Sequence, residues 1–154
     1  MAKSSIQFFF QHAGITLRNR TALKAFIIRF FKKEKKSLAS LNYIFCSDKD
    51  LLKINQDFLD HDFYTDIITF NLSPGSKQIH AEVYISVDRV RANALTYKTS
   101  INQELLRVIF HGGLHLCGYK DKTVADKKVM RERKRSTWHY INPNVPRETF
   151  TPNS

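Results

Sequence analysis

The chain carries only two cysteines, Cys46 and Cys117, among its 154 residues. Two are too few for a disulfide framework, and their separation excludes a Cys-x-x-Cys metal site, so a reducing, cytoplasmic setting is expected. No apolar run approaches the roughly 18 residues that a membrane-spanning helix needs. The opening MAKSSIQFFFQ has too short a hydrophobic stretch for a secretory signal and no small-residue cleavage site. Internal repeats, low-complexity blocks and obvious linkers are missing as well. Negative charge is scarce: 14 acidic residues face 25 basic ones, a net charge of +11. That excess favours polyanionic partners, nucleic acid first.

What remains is the composition of a folded globule, 42% hydrophobic and 12% aromatic, at a length suited to one domain. That domain is expected over residues 1–141. Pro143, Pro146 and Pro152 make 142–154 an extended tail. Strands are predicted at 6–11, 41–46, 65–72 and from Ile79 to Val87, where apolar residues alternate with His80, Glu82, Tyr84 and Ser86. The last two strands flank Ser73-Pro74-Gly75-Ser76, a turn sequence, and are expected to pair antiparallel.

Helical spacing marks Leu23, Phe26, Ile27, Phe30 and Phe31 as one apolar face, and Leu51, Ile54, Asn55 and Phe58 as another, with Asp48 as N-cap. A third helix is predicted over 88–97. A fourth, over about 101–117, starts from a Ser100/Gln103 capping box, and its nearly all-apolar circumference makes it central. A basic fifth follows over about 123–138. The expected fold is α/β (α+β), with a small mixed sheet of about four strands packed with about five helices.

The central helix ends in His111-Gly-Gly-Leu-His115-Leu-Cys-Gly118-Tyr-Lys-Asp121. Two imidazoles four residues apart project from one helix face and suit a single metal ion. Gly118 suits the left-handed position that ends a helix, and the reversed chain can return Asp121 as a third ligand. Such a set leaves a divalent ion an open position, the arrangement that activates water for hydrolysis. A surface or satisfied core pair is the plain alternative, since His-x-x-x-His arises by chance. Gly112 and Gly113 weigh against it. Each costs a helix about 1 kcal/mol, and such breaches are tolerated where another backbone, a metal or a substrate approaches closely.

The run HGGLHLCGYKD resembles the His-Gly-x-Leu-His-Leu-x-Gly-Tyr-Asp-His motif of the bacterial YbeY proteins. YTDIITF (residues 64–70), AEVYIS (residues 81–86) and Glu104 are similar to further family segments in the same order. The resemblance implies a single-domain, metal-dependent endoribonuclease acting in rRNA maturation and ribosome quality control. It implies one Zn²⁺ at His111, His115 and Asp121, where Asp121 stands in place of the family's third histidine. A carboxylate there cancels one unit of metal charge and makes Mn²⁺ or another hard ion less improbable. A one-residue gap would instead leave the third ligand missing. A second departure is Leu59, at a position where the family carries an arginine implicated in RNA handling. A phosphate contact there would have to come from elsewhere, His61 or Lys98.

On this reading the metal polarises a phosphoryl oxygen, generates hydroxide, or both. His111 and His115 carry the site, and Lys120 is placed to stabilise developing charge. Lys122, just before the last helix, and Lys127, Lys128 and Arg131 within it are candidates to hold the RNA backbone, with a solvated basic face as the plain alternative; Arg133, Lys134 and Arg135 extend the cluster. Glu104 is a candidate partner for an imidazole, or simply an acid in a first helical turn. Cys117 is read as a packed thiol. The expected partners are rRNA or another single-stranded RNA and the small ribosomal subunit, with no membrane, the protein acting as a monomer in the bacterial cytoplasm. The rivals are a ribosome-assembly factor with a structural metal and a metalloprotease. The latter lacks its glutamate, because Gly112 follows His111.

Overall fold

A computed structural model describes residues 5–11, 15–17, 20–61, 64–120 and 122–141, with side chains to Lys134 in the last segment. Nine elements follow one another: β1 (Ser5–Phe10), α1 (Arg20–Lys33), β2 (Ser37–Cys46), α2 (Asp48–Leu59), β3 (Ile67–Asn71), β4 (Gln78–Ser86), α3 (Val87–Tyr97), α4 (Ile101–Leu116) and α5 (Val124–Ile141). The expected mixed sheet and its five helices are present. The tail expected at 142–154 lies outside the described residues.

The sheet runs in the order β1-β2-β4-β3. Strands β1, β2 and β4 are mutually parallel, and β3 alone is antiparallel to its neighbour β4. The antiparallel pair is the hairpin that the turn residues predicted. The parallel pairs need crossovers, and α1 supplies the one between β1 and β2. Alternation along β4 sorts its side chains as expected: Ile79, Ala81, Val83 and Ile85 are buried on one face.

That face meets Leu23, Ile27, Phe30 and Phe31 of α1 and Leu105, Val108, Ile109 and Leu114 of α4 in one continuous core. The opposite face carries a smaller cluster of Cys46, Leu51 and Ile68, closed by α2. There Phe58, Phe70 and Tyr84 form edge-to-face pairs with centroids 6.2 and 5.7 Å apart. The N-cap of α2 is Ser47, whose side chain accepts from the Asp50 amide, so the cap lies one residue before the expected Asp48. A neutral hydroxyl serves as well as a carboxylate there, and Asp48 is used in the first turn instead, paired with Arg89 at 2.7 Å.

Helix α4 is central, as its composition implied, and the Ser100/Gln103 capping box forms reciprocally. The atoms nearest its two glycines belong to neighbouring side chains and not to another backbone. A Cβ on Gly113 would stand 2.8 Å from the Phe30 ring, and one on Gly112 would stand 2.6 Å from Ile67 Cδ1. The two contacts differ in kind. Ile67 Cδ1 is the far end of a flexible chain, while Phe30 is wedged between Phe31 and Phe110 at 5.1 and 5.8 Å. Gly113→Ala is therefore expected to lose about 1–2 kcal/mol net of its helix-propensity gain, and Gly112→Ala to be near neutral. Urea midpoints of the two variants check this. Among the described residues no helix is long and apolar enough to cross a membrane.

Candidate active site

The end of α4 is closed by a complete Schellman turn. Gly118 takes φ +101°, its amide donates to the His115 carbonyl at 3.0 Å, and the Tyr119 amide donates to the Leu114 carbonyl at 3.0 Å. The same turn brings the Tyr119 carbonyl back over the helix, where it accepts from His115 Nδ1 at 3.0 Å. A carbonyl only accepts, so Nδ1 carries the proton and the Nε2 lone pair of His115 faces outward. It faces His111: the two Nε2 atoms lie 3.0 Å apart, with the ring planes at 79°.

Burial pushes the His111 pKa down to about 2, helped by the nearby charges of Lys134, His115 and Arg107. A neutral imidazole is the form that binds a divalent ion. Both features fit a metal site: two Nε2 donors converge on one point, and a backbone carbonyl fixes one ring's tautomer. Among the described residues no third His, Cys, Asp or Glu completes the group. Asp121, the expected third ligand, lies outside the described residues.

The pair stands at the edge of a cleft of about 510 Å³. Asn55 and Leu59 of α2, Thr65 to Thr69 leading through β3, Asn93 and Tyr97 of α3, and Arg107 of α4 form its walls, and His61 also reaches it. Leu59 thus lines the cleft and brings no charge to it. Lys98 does not line it. It occupies the left-handed C-cap of α3 at φ 56°.

Glu104 does not serve an imidazole. It is 1% exposed and engages Arg107, whose Nε lies 3.0 and 3.1 Å from its two carboxylate oxygens. Arg107 reaches on to Asp66 Oδ2 at 3.2 Å, tying α4 to the start of β3. Burial works against the guanidinium charge, but Glu104 and Asp66 more than restore it and hold its pKa above the usual value. Neither Arg107 nor Asp66 was singled out by sequence reasoning. An arginine three residues after an acid on a central helix was the available signal.

Lys120 is exposed and is not among the described residues lining the cleft. Lys122, just before α5, and Lys127, Lys128 and Arg131 on it are exposed and outside the cleft. Lys134 departs from that solvated face: it is 2% exposed and lies near His111, because α5 turns this side toward α4. Cys117 packs at the border of the core, where burial raises its thiol to about 12, as suits a packed rather than a reactive cysteine.

The chain has relatives in sequence and a match in fold. The sequence model of the family described as endoribonuclease YbeY matches residues 9–142. An endoribonuclease YbeY of Cytophaga hutchinsonii is 47% identical over 133 residues, 86% of this chain and 93% of that protein. One from Amoebophilus asiaticus is 41% identical over 133 residues, 86% of this chain and 90% of that protein. The solution structure of TM1509 from Thermotoga maritima aligns with a TM-score of 0.59 at 27% identity, covering 97% of this chain and 99% of that one. With a site of two converging imidazoles at the end of the central helix, and a match spanning nearly its whole length, the chain belongs to the endoribonuclease YbeY family.

Proposed function

We propose that this protein is a metal-dependent endoribonuclease that cleaves single-stranded rRNA or its precursors, acting as a monomer with the small ribosomal subunit in the bacterial cytoplasm. The observation that carries the metal dependence is the meeting of His111 Nε2 and His115 Nε2 at 3.0 Å beside an open cleft. His111, His115 and Asp121 would hold one Zn²⁺, with Mn²⁺ the next choice for a site that includes a carboxylate. When bound, such an ion supplies Lewis-acid chemistry and lowers the pKa of water.

The chain's own residues do the rest. The Tyr119 carbonyl holds His115 in the tautomer that presents Nε2, and burial keeps His111 neutral. The cleft suits an unstacked nucleotide, which a single strand presents and a duplex does not. Tyr97, 45% exposed on the cleft wall, offers a stacking face to a base. Lys120, next in sequence to Asp121 but outside the described lining of the cleft, would have to turn inward to stabilise developing charge, and the exposed cations Lys122, Lys127, Lys128 and Arg131 attract the backbone beyond the cleft.

Metal analysis of protein purified without added ions tests the ligand set. One equivalent of zinc or manganese is expected in the wild type, and a large loss in Asp121→Ala. Equal metal content in both would remove Asp121 from the site.

A further inference from the structure

We propose that Arg107 is the residue that grips an RNA phosphate inside the cleft, through the Nη1 edge of its guanidinium. The inference rests on the reading of the cleft as an RNA-cleaving site and names the group that holds the substrate there. Among the described residues lining the cleft, Arg107 is the one permanently charged cation. It stands one helical turn before His111 on the same face of α4, so an anion held by it lies beside the imidazole pair.

The hydrogen bonds of the guanidinium show which edge is available. Nε is taken by Glu104, and Nη2 is shared between Glu104 and Asp66 at 3.2 Å. No hydrogen bond among the described residues uses Nη1, whose two N–H donors remain on a group that lines the cleft. The side chain is only 10% exposed, so these donors sit on a fixed plane rather than a mobile stem. Donors held in fixed directions on a planar group suit a phosphoryl oxygen better than the mobile ammonium of a lysine does.

The exposed cations of α5 lie outside the cleft and attract the strand without registering it. Asp66 works against the anion. With Glu104 it gives the trio one net negative charge, so phosphate is recruited by directed donors and not by local net charge. Asp66 thereby limits the affinity of the cleft.

Salt-dependent binding of a fluorescent, non-cleavable 2′-O-methyl oligonucleotide, read by anisotropy, tests this. The paired variant Glu104→Gln/Arg107→Met removes one charge of each sign, so net charge is unchanged and no buried carboxylate is stranded. It is expected to bind about tenfold more weakly, and its slope of log affinity against log salt is expected to fall by about 0.7, one phosphate contact on a single strand. Arg107→Lys, which keeps the charge but not the fixed planar donors, is expected to lose part of that affinity. Asp66→Asn is expected to gain about threefold. An unchanged affinity and salt slope in the folded paired variant, with no gain in Asp66→Asn, would make Arg107 a structural residue only and overturn the inference. Failure of the wild type itself to bind and cleave single-stranded RNA is a different result and would overturn the function of the cleft as well.

Discussion

Replacing His111 by alanine is expected to lower RNA cleavage by about a thousandfold or more, while RNA affinity stays within about threefold of the wild type. The reason is the division of labour in the cleft. His111 contributes one of only two Nε2 donors that converge there, and 3.0 Å from its partner it has no stand-in among the described residues. The groups proposed to attract and position the strand, Arg107, Tyr97 and the exposed cations of α5, are separate side chains. A thousandfold corresponds to about 4 kcal/mol of transition-state stabilisation, within the range expected for losing a metal's electrostatic contribution. Single-turnover cleavage of a labelled single strand, with affinity measured in parallel, reads both quantities. His80→Ala is the matching control. That imidazole bonds Ser40 at 3.0 Å on the sheet, away from the cleft, and its loss should leave cleavage intact. Undiminished cleavage by His111→Ala would sink the proposed mechanism and point to a contaminating nuclease.

The second large effect concerns stability. Arg107→Met alone is expected to cost about 3–5 kcal/mol, because it strands the Glu104 carboxylate, 1% exposed, in the core with its ion-pair partner gone. A loss of that size approaches the whole stability of a marginal domain. Glu104→Gln in the same chain should recover most of it, since an amide is far cheaper to bury than an uncompensated charge. Asp66 matters less here, with a side chain 23% exposed and open to water. Denaturant midpoints for the two single variants and the pair give the coupling directly. Simple additivity of the two changes would refute the coupled picture.

Much of this was legible in the residue order, because it depends on spacing along one element. The His111/His115 pair, the Ser100/Gln103 box, the stop at Gly118 and the alternation of β4 all concern residues within a few positions of each other. Their local geometry follows from helix and strand periods alone. Less legible was whatever the chain brings together from a distance. Asp66 and Arg107 are 41 residues apart and meet only because α4 packs against β3. The parallel pairing of β1, β2 and β4 depends on crossovers that no turn motif announces. Lys134 looked like one more solvated cation, and only the packing of α5 on α4 buries it. The glycines of α4 were read as a place where another backbone, a metal or a substrate approaches closely, and side chains approach them instead. The approaching groups, Phe30 and Ile67, come from α1 and β3. The double parallel pairing also explains why the hairpin alone was foreseen, since a hairpin is the one strand pairing that a short turn encodes.

Groups from three helices meet on Tyr119. Its carbonyl steadies His115, its phenol donates to Glu34 just past the end of α1 at 3.0 Å, and the Arg133 guanidinium of α5 lies 5.5 Å from its ring. A helix end normally frays, and a donor atom mounted on one would wander with it. Here the mounting is clamped from three directions before any ion arrives. Uptake of a cation should therefore bring little further ordering of this corner, and amide exchange around residues 116–120 should be slow in the apoprotein already.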